Sequence, residues 1–213
     1  MFPPGLYALA DDGASTLSVE AQSEALLRGG ARTLQLRLKR TVGAAALAAV
    51  ARVVALARAA GAVLIVNDSV DWAMLSGADG VHLGEEDLLP EDARALLGPR
   101  ALLGVTVRSG PGARRAQAAG ADYVGVGPVF SPRSKQLDAP LLGISGLERV
   151  VTESPLPVVA IGGLGLASIR AVARAGAYGA AVVSDVLGAE DIPTRVRLLQ
   201  EEFQRGLEER GIP

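Results

Sequence analysis

The sequence predicts an α/β protein that folds as a single (β/α)8 TIM barrel over residues 1–213. Three observations lead to this fold class. Short apolar runs alternate with stretches of helical period, as expected for parallel strands that are covered by helices. A Gly-Ala step recurs just before predicted strands. The length of 213 residues is sufficient for one well-buried domain and short for two.

The alternation of apolar runs and stretches of helical period predicts the strands and helices in chain order. Runs of about five apolar residues are typical of strands buried on both faces. They predict eight strands, at Gly5–Ala10, Thr33–Leu38, Val63–Asn67, Gly80–Leu83, Leu102–Val107, Tyr123–Gly127, Val158–Ile161 and Gly179–Val183. The stretches of helical period predict a short helix after Asp68 and longer helices at Ser18–Arg28, Ala44–Ala60, Glu91–Leu97, Ala113–Ala119, Ala167–Ala175 and Pro193–Arg210.

The Gly-Ala step marks the junction between a helix and the next strand. It occurs at Gly30-Ala31, Gly61-Ala62, Gly77-Ala78, Gly120-Ala121 and Gly176-Ala177. Glycine is expected there because it adopts a positive φ without a Cβ penalty and so ends a helix. Repetition of one βα unit favours a barrel. A doubly wound open sheet is the alternative, and the lack of a Gly-x-Gly-x-x-Gly turn after the first strand counts against it.

Composition limits the classes of function. The net charge of −2 indicates no basic surface for a nucleic acid partner. The sequence shows neither a long uninterrupted apolar segment nor a signal-peptide pattern at Met1–Pro4, so no membrane partner is expected. Cysteine is absent, which excludes disulfides and thiolate sites and fits a cytoplasmic location.

Residue types that the chain uses rarely fall where a TIM barrel builds its active site. The chain contains two lysines, one asparagine and one histidine. Lys39, Lys135, Asn67 and His82 all lie in or just after predicted strands, and the carboxyl ends of the strands form the active face of this fold. This placement favours functional roles. For His82, packing within an apolar strand is the alternative to catalysis.

Charged side chains after the strands predict a site for a phosphorylated small molecule. Asp68 and Asp87 follow the third and fourth strands, and carboxylate oxygens suit Mg²⁺ shared with a substrate pyrophosphate. A salt bridge to Arg37 or a helix cap is the alternative. Arg37, Lys39 and Lys135 would place three cations around the anion, and solvated surface charge is the alternative for each.

The turns after the last two strands predict a phosphate cradle. Ala160-Ile161-Gly162-Gly163 and Val182-Val183-Ser184 occupy the positions from which the loops after strands 7 and 8 bind phosphate in many barrels. Backbone N–H groups in such loops bind anions, and glycine allows a close approach.

Several blocks of sequence carry a family resemblance that runs over nearly the whole chain. The sequence resembles thiamine phosphate synthase and its close relatives, the thiazole tautomerase-like proteins. The blocks that carry the resemblance are Gln35–Lys39, Val66–Asp71, Gly80–Asp87, Ala121–Phe130, Ser134–Gln136, Ala160–Gly163 and Ala181–Ser184.

The resemblance implies a reaction. An aminopyrimidine methyl pyrophosphate loses pyrophosphate, and the nitrogen of a thiazole phosphate captures the pyrimidine methylene. The implied cofactor is Mg²⁺, held by Asp68 and Asp87, and the implied catalytic cations are Lys135, Arg37 and Lys39. The implied substrate-binding residues are Gln35, Arg37, Lys39, Asn67, Thr106, Ser134, Lys135, Gly163, Val183 and Ser184.

The chain departs from the family pattern at a few positions. Leu38 stands where the synthases usually have glutamate, and Thr106-Val107-Arg108 replaces Ser-Thr-His. Pro132-Arg133-Ser134-Lys135 replaces Thr-x-Thr-Lys, so one hydroxyl is lost and an arginine is gained. These changes bear on the thiazole phosphate contacts and on substrate preference.

Other functions on the same fold remain open at this point. A thiazole tautomerase-like isomerase would need an acid/base group and no metal, but the loop after the sixth strand contains no histidine. Another phosphosugar-type barrel enzyme and a non-catalytic phosphate-binding paralogue are the further alternatives. Barrel enzymes often form homodimers, so a homodimer is also compatible with the sequence.

Overall fold

Eight parallel strands close into a barrel in the computed structural model, which describes residues 1–131 and 140–211. Each strand pairs with the next along the chain, and β8 returns to pair with β1. The predicted TIM barrel is therefore confirmed, and the open sheet is wrong. The strands are β1 Gly5–Asp11, β2 Thr33–Arg37, β3 Val63–Asn67, β4 Gly80–Leu83, β5 Leu102–Val107, β6 Tyr123–Val126, β7 Val158–Ala160 and β8 Gly179–Val182.

Helices cover the outside of the barrel. They are α1 Val19–Arg28, α2 Gly43–Ala59, α3 Val70–Ser76, α4 Pro90–Leu97, α5 Gly110–Ala118, α6 Gly143–Glu153, α7 Ile169–Arg174, α8 Ser184–Leu187 and α9 Ile192–Glu209. The sequence did not predict α6, whose first turn contains two glycines, or α8, which is four residues long. Within residues 1–131 and 140–211, no helix combines the length and the apolar character needed to cross a bilayer.

The Gly-Ala junction has the conformation that the sequence predicts. The glycine of every such step adopts a positive φ, between 63° and 92°. In two steps the next residue is an aspartate that ties the junction to the preceding strand. The Asp79 carboxylate accepts the Leu64 N–H at 2.8 Å, and the Asp122 carboxylate accepts the Leu103 N–H at 2.8 Å. The Gly-Ala step therefore ends each helix, and in these two cases the aspartate also ties the junction to the preceding strand.

Alternate strand residues face two separate cores. Side chains such as Leu34, Leu36 and Leu64 point outward and are buried under the helices. A second cluster fills the inside of the barrel and includes Leu9 and Ile65. This arrangement explains why the strands appear as continuous apolar runs.

Aromatic rings fill the floor of the barrel, at the amino ends of the strands. Phe2 is 2% exposed and makes edge-to-face contacts with Tyr7, Tyr123 and Tyr178, with ring centroids 4.9 to 5.7 Å apart. The Tyr178 hydroxyl donates a hydrogen bond to the Phe2 carbonyl oxygen at 2.5 Å. These rings fill the amino-terminal end of the barrel, so the open end lies at the carboxyl ends of the strands.

The last helix completes the outer layer next to the first strand. α9 packs against α7, α1 and β1. Its close approach to α7 depends on Gly206, because a Cβ there would lie 2.5 Å from the Arg170 carbonyl oxygen and 2.7 Å from the Ala173 Cβ. The carboxyl-terminal helix therefore covers the seam where β8 meets β1.

Candidate functional site

A cavity of about 550 Å³ opens at the carboxyl ends of the strands. It brings together most of the site residues that the sequence predicts, namely Arg37, Lys39, Asn67, Asp68, Asp87, Thr106, Gly163, Val183 and Ser184. Gln35 lies deeper, where it is 5% exposed and hydrogen-bonded inside the barrel. Ser134 and Lys135 lie outside the described residues, as do Pro132 and Arg133.

Two carboxylates lie side by side at the mouth. Burial raises the pKa of Asp68, and a hydrogen bond with the Asp87 carboxyl raises this pKa further, while Lys39 opposes the rise. The Asp87 carboxylate also accepts the Gly84 N–H at 2.7 Å. Asp68 forms its ion pair with Lys39 and not with Arg37, which the sequence had offered as the alternative partner.

The carboxylate pair fits a divalent cation. Two adjacent negative groups repel one another, and a dication between them relieves this repulsion. In the described part of the chain, no group of three or more His, Cys, Asp or Glu side chains is arranged to hold a metal. Asp68 and Asp87 would therefore share an Mg²⁺ with water and substrate oxygens, as is common for this ion.

Asp68 has an unusual backbone conformation. Its φ of 65° is the only positive value of a non-glycine residue in the described ranges. The left-handed region is uncommon for residues with a Cβ, and such conformations often occur at functional sites. The Asp68 N–H donates to the His82 carbonyl oxygen at 2.8 Å, which attaches this residue to the end of β4.

Arg37 is held by an acidic residue that the sequence analysis missed. Asp11, the last residue of β1, is 3% exposed and accepts the Arg37 guanidinium at 2.7 Å. The other Asp11 carboxylate oxygen accepts the Gly13 N–H at 2.7 Å. The rule that polar residues at strand ends build the site could have found Asp11 if it had been applied to the first strand.

The next residue, Asp12, shapes the loop that carries Lys39. Its carboxylate accepts the backbone N–H groups of Lys39, Arg40 and Thr41 at 2.7 to 3.0 Å. Burial acts to raise the pKa of Asp12, but these backbone hydrogen bonds outweigh burial and lower it. Asp12 therefore remains ionised and orders the loop after β2.

The turns after β6 and β7 pack tightly at the predicted phosphate cradle. Gly162 and Gly163 have φ values of 90° and 65°. A Cβ on Gly162 would lie 2.7 Å from the Pro128 Cα, and a Cβ on Gly163 would lie 2.7 Å from the Ser131 carbonyl oxygen. The sequence Gly-Gly is therefore required by both the backbone conformation and the close approach of the two loops. Phosphate binding at this turn stays a prediction.

Five polar side chains form a continuous hydrogen-bonded series from the barrel interior to the cavity wall, which we call the interior relay. The donor and acceptor atoms are 3.0 Å apart for Gln35 Nε2 and Tyr7 Oη, 2.8 Å for Tyr7 Oη and Tyr123 Oη, and 3.2 Å for Tyr123 Oη and His82 Nδ1. The last bond joins His82 Nε2 to Thr106 Oγ1 at 3.0 Å. Burial lowers the pKa of His82 to about 4, so the ring is neutral at pH 7. His82 therefore neither simply packs nor lines the cavity.

The comparisons with known proteins agree over nearly the full chain. Residues 6–186 match the family described as thiamine monophosphate synthase. The chain is 58% identical to a thiamine-phosphate synthase of Myxococcus xanthus, over 96% of this chain and 94% of that protein. It is 48% identical to a thiamine-phosphate synthase of Anaeromyxobacter dehalogenans, over 97% of this chain and 91% of that protein. Among solved structures, thiamine phosphate pyrophosphorylase from Pyrococcus furiosus superposes with a TM-score of 0.86 at 33% identity, covering 95% of this chain and 96% of that one.

Proposed function

The chain belongs to the thiamine monophosphate synthase family, and from this membership we propose that the barrel mouth is where thiamine phosphate is formed. The reaction joins an aminopyrimidine methyl pyrophosphate to a thiazole phosphate and releases pyrophosphate, so the protein is a transferase. The observation that carries the proposal is the single cavity that unites the carboxylate pair, the cations and the Gly-Gly turn.

The cavity has the groups that departure of pyrophosphate requires. Bound Mg²⁺, held by Asp68 and Asp87, would supply positive charge to the leaving pyrophosphate. Arg37 and Lys39 line the same wall and would neutralise the charge that develops on it, with Lys135 as the third predicted cation. The pyrimidine methylene becomes electron-poor as the bond breaks, so no protein nucleophile is needed.

The two substrates would occupy opposite walls. Asp68 and Asp87 follow β3 and β4, whereas the Gly162-Gly163 turn follows β7. In a closed barrel with sequential strand order, β7 and β8 lie across from β3 and β4. Asn67 and Thr106 line the cavity and would hold the aminopyrimidine pyrophosphate, whereas Gln35, predicted for the same substrate, lies beneath the cavity wall. The thiazole phosphate would bind to Ser134, Gly163, Val183 and Ser184. The thiazole nitrogen would then approach the methylene from across the cavity.

Two departures from the family pattern now have a structural context. Leu38 is half-buried, packs against the outer core and does not line the cavity. Arg108 lines the cavity and donates to the Pro140 carbonyl oxygen at 3.1 Å. The relatives and the carboxylate pair favour the synthase over the isomerase and over a non-catalytic paralogue.

A direct assay tests the proposal. The protein is mixed with Mg²⁺, the aminopyrimidine methyl pyrophosphate and the thiazole phosphate, and thiamine phosphate is quantified. We expect turnover above the enzyme-free control, with loss of activity in EDTA and recovery on adding Mg²⁺. A folded protein that forms no product would overturn the proposal. Activity that survives EDTA would overturn the magnesium assignment alone.

Location and assembly are separate proposals. A cytoplasmic location fits the absence of cysteine, and a homodimer fits the fold class. Light scattering after size-exclusion chromatography would test the homodimer, and a mass equal to one chain would contradict it.

A further inference from the structure

The directions of the hydrogen bonds in the interior relay follow from its donors and acceptors. Gln35 Nε2 only donates, so Tyr7 Oη accepts from it. Among the described residues, the Tyr7 proton has one remaining acceptor, Tyr123 Oη. Tyr123 Oη therefore accepts from Tyr7 and donates its own proton to His82 Nδ1. With Gln35 Nε2 facing Tyr7, as in this structure, any other order leaves a buried hydroxyl proton without an acceptor, which proteins avoid.

The hydrogen-bond series continues through the imidazole to the cavity. His82 Nδ1 accepts a hydrogen bond, so the neutral ring carries its proton on Nε2. That proton faces Thr106 Oγ1 at 3.0 Å. Thr106 Oγ1 has no other hydrogen-bond partner in the part of the chain that the structure describes, and Thr106 lines the cavity. Its hydroxyl proton is therefore free to point toward a bound molecule.

Two glycines in the barrel wall keep the imidazole in this orientation. A Cβ on Gly104 of β5 would overlap both the Tyr123 and the His82 rings. A Cβ on Gly125 of β6 would lie 2.9 Å from His82 Cε1. The slot accepts the ring only because both positions lack a side chain, and His82 is 8% exposed within it. The wall of the barrel is thus shaped around the histidine.

We propose that the interior relay fixes His82 as the Nε2–H tautomer and thereby makes the Thr106 hydroxyl a hydrogen-bond donor to the substrate. His82 is a positioning residue, since it acts through Thr106. The recognised group is a hydrogen-bond acceptor of the aminopyrimidine pyrophosphate, either a ring nitrogen or a phosphate oxygen. The identity of this substrate rests on the proposed function, whereas the tautomer depends only on the interior of the barrel.

The tautomer can be measured directly because the chain contains one histidine. Tag-free full-length protein labelled with ¹⁵N-histidine, without substrate at pH 7, gives the imidazole correlations in a long-range ¹H–¹⁵N spectrum. We expect a neutral ring that is protonated at Nε2. Protonation at Nδ1, or a rapidly averaging mixture, would overturn the proposal. This result does not depend on activity, so it stands apart from the synthase assay.

Variants test whether the relay sets the tautomer. Tyr123→Phe removes the donor to Nδ1, and we expect the fixed Nε2–H signature to be lost while the circular dichroism spectrum is retained. Tyr178→Phe is the matched control because Tyr178 bonds to Phe2 outside the relay, and we expect its histidine spectrum to equal that of the wild type. An unchanged spectrum in folded Tyr123→Phe would contradict the role of the relay. If that variant does not fold, the wild-type ¹H–¹⁵N spectrum alone tests whether His82 is the Nε2–H tautomer.

Kinetics test the donor role of Thr106. Thr106→Val keeps the shape but has no hydroxyl, and we expect kcat/KM to fall by roughly tenfold or more, as for loss of one hydrogen bond to a charged or polar substrate group. Thr106→Ser should restore most of it. Weaker binding of inorganic pyrophosphate to Thr106→Val would assign the acceptor to a phosphate oxygen, and unchanged binding would assign it to the pyrimidine ring. A fully active Thr106→Val would overturn the donor role, and an inactive wild type would overturn the proposed function instead.

Discussion

Asp68 combines a left-handed backbone, a neighbouring carboxylate and an ion pair to Lys39. The first two features are unfavourable to the folded chain, and half-exposed ion pairs contribute little to stability. Unfavourable local features of this kind are kept where function requires them. These features support the metal-binding role that we propose for Asp68.

The Asp68→Asn variant separates these contributions. Asparagine tolerates the left-handed conformation and keeps the volume, but it removes one negative charge from the pair. We expect turnover to fall by roughly 100-fold or more, because the variant would bind Mg²⁺ more weakly and loss of a cation that neutralises charge at a transition state has effects of this size. Mg²⁺ with pyrophosphate should raise the Tm of the wild type and not that of the variant.

Asp71→Asn is the matched control, because Asp71 is an exposed residue in the first turn of α3. It should behave as the wild type in both measurements. An Asp68→Asn enzyme with full activity at the same Mg²⁺ concentration would contradict the metal role.

Gly104 provides a second test at the scale of one residue. In Gly104→Ala, the added Cβ overlaps Tyr123 and His82, so these rings must move. We expect the free energy of unfolding to fall by about 1–3 kcal/mol, the usual range for overpacking a core. Urea unfolding measures the change. Gly112→Ala on α5 is the control, because its nearest contact would be 3.3 Å away and alanine favours a helix. Equal stabilities for the two variants would contradict the tight slot.

Secondary structure elements were largely predictable from the sequence. The strand bounds agree within one residue at every strand, because apolar runs and Gly-Ala steps mark both ends. The single extension of β1 is informative. The apolar pattern ends at Ala10 because Asp11 is charged. In the structure Asp11 is nevertheless the last residue of β1, and its carboxylate accepts a hydrogen bond from Arg37. An apolar pattern therefore cannot predict that a charged residue such as Asp11 belongs to a strand when an ion pair with Arg37 keeps it buried.

The interior relay shows what the sequence does not reveal. Tyr7 and Tyr123 lie in apolar strands and resemble ordinary core residues. Their contact, across 116 positions of sequence, depends on how the strands are staggered around the barrel. The periodicity of one strand indicates which residues point inward but not which of them meet. Most of the rim was therefore predictable, whereas the layer beneath it was not.

The Gly-Ala-Asp junction gives a prediction at the scale of the element. In Asp122→Ala, the Leu103 N–H at the start of β5 loses its acceptor and Arg94 loses its ion-pair partner. Leaving a part-buried donor unsatisfied costs about 1–3 kcal/mol. We expect a decrease of this size in the free energy of unfolding, measured by denaturant titration. Asp92→Ala on the exposed side of α4 should change it by less than about 0.5 kcal/mol, and equal losses would contradict the bracing role of Asp122.

The stability of the whole molecule should depend on pH through its one histidine. Burial lowers the pKa of His82 to about 4, whereas the unfolded residue titrates near 6.5. Between these values the unfolded chain binds a proton that the folded chain does not, so the free energy of unfolding falls as the pH drops through this window. The loss attributable to His82 is at most about 3 kcal/mol.

Comparison with His82→Gln isolates this contribution, since both proteins contain the same carboxylates. Asp68 acts in the opposite sense, because a raised pKa favours the folded state as the pH falls. Unfolding curves at pH 7 and pH 4.5 should show a smaller loss in the variant than in the wild type. Parallel losses would contradict a buried neutral histidine.

The aromatic floor gives a second prediction for the whole molecule. Phe2→Ala removes a ring that contacts three tyrosines. We expect a loss of about 3–5 kcal/mol in the free energy of unfolding, as for other buried phenylalanines. Leu75→Ala, in which a side chain that is 71% exposed is shortened, should leave it nearly unchanged. A small effect of Phe2→Ala would mean that the segment before β1 contributes little to the folded state.

The aromatic floor also determines the side of the barrel from which substrates bind and products are released. In the described part of the chain, Phe2 and the tyrosines close one end of the barrel, so the cavity opens to solvent at the other end. Both substrates must enter, and both products must leave, through the same opening. The end of the barrel that has no chemistry therefore restricts binding and release to the opposite end.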